Sequence, residues 1–455
     1  MAFLLARYRT TTIQIRGAIA LGALTPEGYI PRLIEGELIE LLATFGAVEV
    51  SGPKWCGKTW ASLAFAESVI NLDDWELKRL VEADLSIGLQ GKHPRLIDEW
   101  HEIPQIRDAV RRRIDATGNK PGSYILTGST APAREAKERV SHSGAGRIGR
   151  LRMRPMSLFE MGLSNGAVSL SGLFDGIFEP TENETGLEML ADCVCRGGWP
   201  AVKDIPLERA QRVARQYLDE IVAYAAGKTG KSAPVLHRLV RSLSRNLAAS
   251  VSHTTLISDM AQGEDAQASG RMSRETIASY LEVLQNLYIL EDLNGWDAPV
   301  RARARVRTRP KRYLADPSLA AASLGISPKV LLDGDLQTFG LLFETLCMKE
   351  LRVYASANPL LGENSIMYYR DDYGLEVDAI VERRDGLWGA IEIKLSENKV
   401  QDGIDSLLRL EKKVLSNGSS KVRKPSFLMV LVGRSRYART SPEGVFVVPL
   451  ACLGA

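Results

Sequence analysis

Cysteine is scarce in this chain: 455 residues carry five of them, an odd number, beside five histidines. So sparse a set excludes a disulfide-stapled secreted fold and points to a reducing compartment. Cys193 and Cys195 stand one residue apart with no companion Cys or His pair at ligand spacing, which argues against a zinc cage. No apolar run reaches the roughly 18 residues that cross a bilayer. The apolar patch from Ala2 to Ala6 has no basic segment before it, so a signal peptide is not expected. No low-complexity tract interrupts a composition that is 45% hydrophobic and 25% charged. The net charge is only +3, so any nucleic-acid surface must be local. These absences leave a soluble, cytoplasmic protein without a membrane partner, long enough for about three domains.

What is present begins at Gly52-Pro53-Lys54-Trp55-Cys56-Gly57-Lys58-Thr59, a complete G-x-x-x-x-G-K-T phosphate loop. Phe45 to Ser51 reads as a buried strand before it, and Trp60 to Ile70 as an apolar-faced helix after it. A strand, a glycine-rich turn and a helix start aim backbone N–H groups at one point, where an anion is held. Gly52 and Gly57 let the backbone close on a phosphate, and Lys58 can reach the β- and γ-phosphates. The Thr59 hydroxyl suits Mg²⁺. The implied cofactors are ATP and Mg²⁺.

About 40 residues on, a short apolar strand ends in Asp98-Glu99. An acid at that place can support the Mg²⁺ shell, and the next Glu can orient the attacking water. Ser123 to Ser129 reads as another buried strand whose end would converge on the same crevice. Ser129 or Thr127 could then sense the γ-phosphate or the water; the alternative is a plain strand-to-loop transition. Residues 141–150 are glycine-rich and basic. Arg147 or Arg150 is a candidate for stabilising transition-state charge, in cis or from a neighbouring copy, with an exposed basic loop as the plain alternative.

The phosphate loop, Leu96-Ile97-Asp98-Glu99, Ile125-Leu126-Thr127-Gly128-Ser129 and Arg152-Met-Arg-Pro-Met-Ser-Leu-Phe-Glu160, in this order, resemble a family of prokaryotic AAA-like P-loop ATPases. The resemblance continues through Arg196-Gly-Gly-Trp-Pro200 into the last part of the chain. It implies a P-loop sheet crossed over by helices, with Lys58, Thr59, Asp98, Glu99 and Ser129 at the nucleotide-handling positions. It also implies a C-terminal domain whose role in that family is uncharacterised. Homo-oligomers assembled through the ATPase domain are a further expectation.

In the middle, Leu187 to Val194 and Leu207 to Ala225 are helical by spacing, broken by Gly197-Gly198-Trp199-Pro200. Three more helical patterns follow over 235–250, 254–261 and 273–287. The last has Ser273 as its cap and an apolar stripe at Ile277, Tyr280, Leu281 and Leu284. With the strand-like stretches after it, these are the parts of a winged helix. Arg301, Arg303, Arg305, Arg307 and Arg309 alternate strictly, so a strand would project all five from one face. Guanidinium groups so arranged repel unless anions neutralise them, and the phosphates of double-stranded DNA are the expected partner. The absence of interleaved aromatics disfavours stacking on single strands. A basic wing pairing with acids of the protein itself or of an acidic partner is the alternative.

The last part places Glu344 on an apolar helix, Asp378 on one strand, an Asp385-Gly386 turn, and Glu392 and Lys394 two apart on the next strand. Asp, then Glu-x-Lys across a hairpin, resembles the PD-(D/E)xK nuclease core. In that reading Asp378, Glu392 and Glu344 bind metal, and Lys394 orients water or steadies charge on a phosphate. No Pro precedes Asp378, and the fold also serves as a binding shell without cleavage. The fold class expected is α/β: a parallel P-loop sheet with helices on both faces, a helical and winged-helix middle, and a restriction-nuclease-like α/β end. The segments expected are 1–165 for the ATPase, 166–234 for a helical connector or lid, 235–322 for the winged helix and 323–455 for the nuclease-like domain.

Overall fold

The computed structural model describes residues 24–130, 144–261, 272–298, 309–362, 364–416 and 422–455. They divide into two units: one runs up to Pro155 and takes in Asn286–Tyr288, and the other holds Met156–Gln285 and Ile289–Ala455.

The first unit is built on helix α1 (Glu35–Thr44), strand β1 (Ala47–Ser51), the short helix α2 (Lys58–Leu63) and strand β2 (Ser68–Asn71). Helices α3 (Trp75–Ala83) and α4 (Leu85–Leu89), strand β3 (Arg95–Asp98), helix α5 (Gln105–Ala116) and strands β4 (Tyr124–Gly128) and β5 (Ile148–Arg152) complete it. All five strands are parallel, in the order β2-β3-β4-β1-β5. Sheets of this kind are covered on both faces, so their strands read as apolar runs. Val48, Val50, Leu96, Ile97, Ile125 and Leu126 are accordingly buried. The order sets β4 between β1 and β3, so three strand ends meet at the edge where the phosphate loop begins.

One local expectation fails. The helix after the loop stops at Leu63 rather than Ile70, and Val69 and Ile70 pair with Leu96 and Ile97 as part of β2. The short apolar run Leu63 to Ala66 carries no period by which helix and strand can be told apart. Only the edge of β3, distant in sequence, decides the matter.

The second unit opens with β6 (Val168–Ser169), helix α6 (Leu170–Phe174), β7 (Thr181–Glu182) and helices α7 (Leu187–Arg196) and α8 (Leu207–Thr229). Helices α9 (Ala233–Arg245), α10 (His253–Met260) and α11 (Arg274–Asn286) follow, then the antiparallel pair β8 (Leu290–Leu293) and β9 (Lys311–Leu314). The middle of the chain is thus helical, with one antiparallel strand pair after it. Arg301, Arg303, Arg305 and Arg307 lie outside the described residues; Arg309 is described and exposed. After helices α12 (Pro317–Leu324), α13 (Pro328–Asp333) and α14 (Leu336–Ser356) come strands β10 (Ile366–Arg370), β11 (Glu376–Glu382) and β12 (Trp388–Ser396). Helix α15 (Val400–Ser416) and strands β13 (Phe427–Arg434), β14 (Tyr437–Thr440) and β15 (Phe446–Pro449) finish a mixed sheet ordered β10-β11-β12-β13-β15-β14-β7. The expected hairpin is there: β11 and β12 are antiparallel, with Glu382 opposite Trp388, and Gly386 takes the positive φ of 83° that the turn needs.

A buried polar cluster holds this unit together. Lys349 Nζ donates to the Met156 carbonyl at 2.8 Å and lies 3.5 Å from Asp316 and 3.2 Å from Glu350. Asp316 accepts from the Gly198 amide at 2.9 Å, Glu350 accepts from the Leu158 amide at 2.8 Å, and Trp199 Nε1 donates to Ser318 Oγ. A Cβ on Gly198 would fall 2.1 Å from the Met156 carbonyl oxygen, so only glycine fits. The motifs around Met156 and Gly198 therefore have a structural purpose. Lys349, which its helix position marks as an ordinary surface charge, is buried. Among the described residues no helix is long and apolar enough to cross a membrane.

Candidate functional site

The first unit gathers its polar side chains at the ends of β1, β3 and β4. Gly52 (φ 153°) and Gly57 (φ 101°) adopt backbone open to glycine, and a Cβ on Gly52 would lie 2.1 Å from the Met153 carbonyl oxygen. Arg32, buried, locks the loop from outside: Nη1 donates to the Cys56 carbonyl at 2.7 Å and Nη2 to the Arg154 carbonyl at 2.8 Å. Lys58 Nζ donates to the Pro53 carbonyl at 2.8 Å, so its ammonium lies over the loop. Nothing in the sequence marks Arg32, because its partners are backbone carbonyls 24 and 122 residues away.

Thr59 Oγ1 donates to Asp98 Oδ1 at 3.0 Å, and Thr127 Oγ1 donates to the same carboxylate oxygen. Burial raises the Asp98 pKa and Glu99 adds to this, against the hydroxyls of Thr127 and Thr59 and the charge of Lys58. Such a carboxylate gains from a cation. Two hard oxygen donors beside a phosphate loop fit Mg²⁺, which is usually held by one or two protein oxygens with phosphates and water completing the shell. Glu99 sits at φ 53°, in the left-handed region that a non-glycine residue rarely takes. That turn brings Glu99 Oε2 to 3.3 Å from Ser129 Oγ, which donates to it, and 3.2 Å from His101 Nδ1. The structure thus brings Lys58, Thr59, Asp98, Glu99 and Ser129 to one edge of one sheet, with His101 as a member that sequence reasoning missed.

Arg147 is placed elsewhere. It precedes the first residue of β5, level with the start of β1, and its Nε donates to Asp115 at 2.8 Å. The length of a five-residue strand, about 16 Å, separates that end from the phosphate loop. That distance argues against a role for Arg147 in the site of the same subunit; a role from a neighbouring copy and a plain exposed basic loop both remain. Arg150 lies mid-strand beside Glu49 and is exposed.

In the second unit, Glu344, Asp378, Glu392 and Lys394 do come together, with two residues that were not foreseen. Lys394 Nζ is paired with Glu392 and lies 4.0 Å from Asp378. Asp378 Oδ2 accepts from the Ile393 amide at 2.9 Å. Lys311, from β9, is the unforeseen cation, and Glu376, from β11, is an extra acid 2.6 Å from it. Burial raises the pKa of Glu344 and of Glu392, and in each case the charge of Asp378 adds to the effect. Glu344, Asp378 and Glu392, expected as a metal set, do not stand as a preformed cage: among the described residues no three acids, histidines or cysteines are spaced to hold a metal ion. Ammonium groups stand between the carboxylates instead.

Against known families, residues 44–162 match an AAA domain, residues 187–330 match a domain of unknown function (DUF8612), and residues 339–453 match another (DUF4143). The first match carries ATP binding with it. No curated protein matches. Among solved structures the chain is similar to a Walker-type ATPase of Pyrococcus abyssi, at 12% identity over 67% of this chain and 98% of that one, TM-score 0.41. It is also similar to the Aeropyrum pernix ORC1 protein in complex with DNA, at 13% identity over 66% and 95%, TM-score 0.27. A DNA replication initiation factor matches at 14% identity over 58% and 96%, TM-score 0.22.

Proposed function

We propose that the chain hydrolyses ATP and uses its nucleotide state to change how it holds double-stranded DNA. The observation that carries the ATPase half is the approach of Glu99, Ser129, Asp98 and Thr59 at the end of the sheet that bears the phosphate loop. Gly52 to Thr59 would cradle the phosphates, and Thr59 and Asp98 would hold Mg²⁺, whose chemistry is to neutralise charge on the β- and γ-phosphates. Lys58 supplies a positive charge at the same place. Glu99 accepts a hydrogen bond from the attacking water and takes its proton, while Ser129 and His101 fix the direction of the carboxylate. Lys58→Ala is expected to lower ATP turnover by at least about 100-fold, because the site loses its fixed counter-charge; a malachite-green phosphate assay reads this. Turnover unchanged in that variant would refute the assignment.

The DNA half is supported by the alternating arginines at 301–309, beside a middle region with three helices and a hairpin. Binding through phosphates is steeply salt-dependent. Replacing Arg301, Arg303, Arg305, Arg307 and Arg309 with alanine is expected to lower the log–log salt slope of duplex binding by up to roughly 4.5. A slope left unchanged would turn the reading toward an acidic protein partner. A second reading adds metal-dependent strand cleavage by Asp378, Glu392 and Lys394; the ammonium groups among those carboxylates favour the version without cleavage.

A further inference from the structure

Three carboxylates converge on one point in the C-terminal cluster, and that point is filled by a side chain of the protein. Lys311 Nζ lies 2.6 Å from Glu376, 3.5 Å from Glu344 and 3.5 Å from Asp378, and the side chain is 3% exposed. We propose that Lys311 is a built-in cation: its ammonium takes the place a divalent metal would occupy among these carboxylates and keeps the cluster metal-free.

The placement is not incidental. Lys311 pairs with Leu293 in the β8–β9 hairpin, and the next residue, Arg312, exchanges backbone hydrogen bonds with Ala248 and Ala249. Two residues further, on the same face of the strand, Tyr313 Oη donates to Glu344 at 2.8 Å. The Tyr368 ring lies 5.5 Å from the ammonium and adds its negative face. The strand therefore delivers a fixed cation. Mg²⁺ needs about six oxygens at roughly 2.0–2.1 Å in near-octahedral array. Here each of the three acids already gives an oxygen to Lys311, and Asp378 spends its other oxygen on the Ile393 amide. A metal at the same point would also meet the ammonium as a like charge. Metal and Lys311 thus compete for one position.

This inference rests on the geometry of the cluster and not on the DNA reading, so the two fail separately. The test counts Mn²⁺ bound to the full chain by electron paramagnetic resonance without nucleotide, in wild type, Lys311→Met, Asp378→Asn and the double variant. Wild type and Asp378→Asn are expected to bind the same number of ions. Lys311→Met gains one, and the double variant loses it again. Lys311→Met also melts several degrees below wild type without metal and recovers when Mn²⁺ is added, whereas the double variant shows no such recovery. A wild-type Mn²⁺ site that disappears in Asp378→Asn would overturn the proposal, as would a folded Lys311→Met that gains none. If Lys311→Met does not fold, the comparison of wild type with Asp378→Asn decides alone: equal counts support the proposal and unequal counts refute it.

Discussion

Glu99→Gln is expected to lower the rate of ATP hydrolysis by about 10²-fold or more while nucleotide binding stays close to wild type. The amide keeps the shape of the side chain and its contact with Ser129, but it cannot take a proton from water. General-base catalysis of this kind is worth typically 10²–10⁴-fold. Binding is expected to be spared because Glu99 lies outside the loop from Gly52 to Thr59 that would hold the phosphates. The left-handed backbone of Glu99 supports the assignment, since a residue held at φ 53° gives up conformational stability that a purely structural acid would not need to sacrifice. Single-turnover kinetics and a fluorescent-nucleotide titration separate the two effects. Equal loss of binding and turnover would instead make Glu99 a structural member of the site.

The second large effect is on stability. Lys349→Met is expected to destabilise the second unit by about 3–5 kcal/mol, the usual cost of leaving a buried charge without its partner. Lys349 is 2% exposed, and Asp316 and Glu350 beside it are fully buried. Removing the ammonium leaves Glu350 with only the Leu158 amide and the Tyr354 hydroxyl. Burial already raises the pKa of Glu350, and Lys349 is the first of the groups that oppose it. The double variant Lys349→Met with Glu350→Gln is therefore expected to recover part of the loss, a non-additivity that marks residues in one network. Urea denaturation of the three proteins reads the difference. Simple additivity would show that the two charges act independently.

These two clusters also show what a sequence can and cannot reveal. The phosphate loop, Asp98-Glu99 and Ser129 are legible because each is a short motif at a strand end, and parallel strand ends meet on one edge. The hairpin from Glu376 to Ser396 is legible because the Asp-Gly turn and the alternation on either side agree. Lys311, Lys349 and Arg32 are not legible. Apart from Glu350 beside Lys349, the partners named for them lie tens to hundreds of residues away, and a basic residue between ordinary neighbours reads as a surface charge. Strand β2 was hidden for a related reason: local spacing leaves helix and strand undecided there, and its pairing with β3 decides. Arg147 shows the converse. Its glycine-rich surroundings look like a catalytic loop, yet the register of β5 with β1 puts it at the far end of the sheet.

The central claim is that ATP turnover at Lys58 and Glu99 is linked to duplex DNA. Its most direct test is the steady-state ATPase rate of the full chain with and without duplex DNA at low and high salt, with Lys58→Ala as control. The account predicts a rate that DNA alters at low salt, an effect that fades as salt rises, and no turnover in Lys58→Ala. A rate indifferent to DNA at low salt, or one that survives in Lys58→Ala, would contradict it.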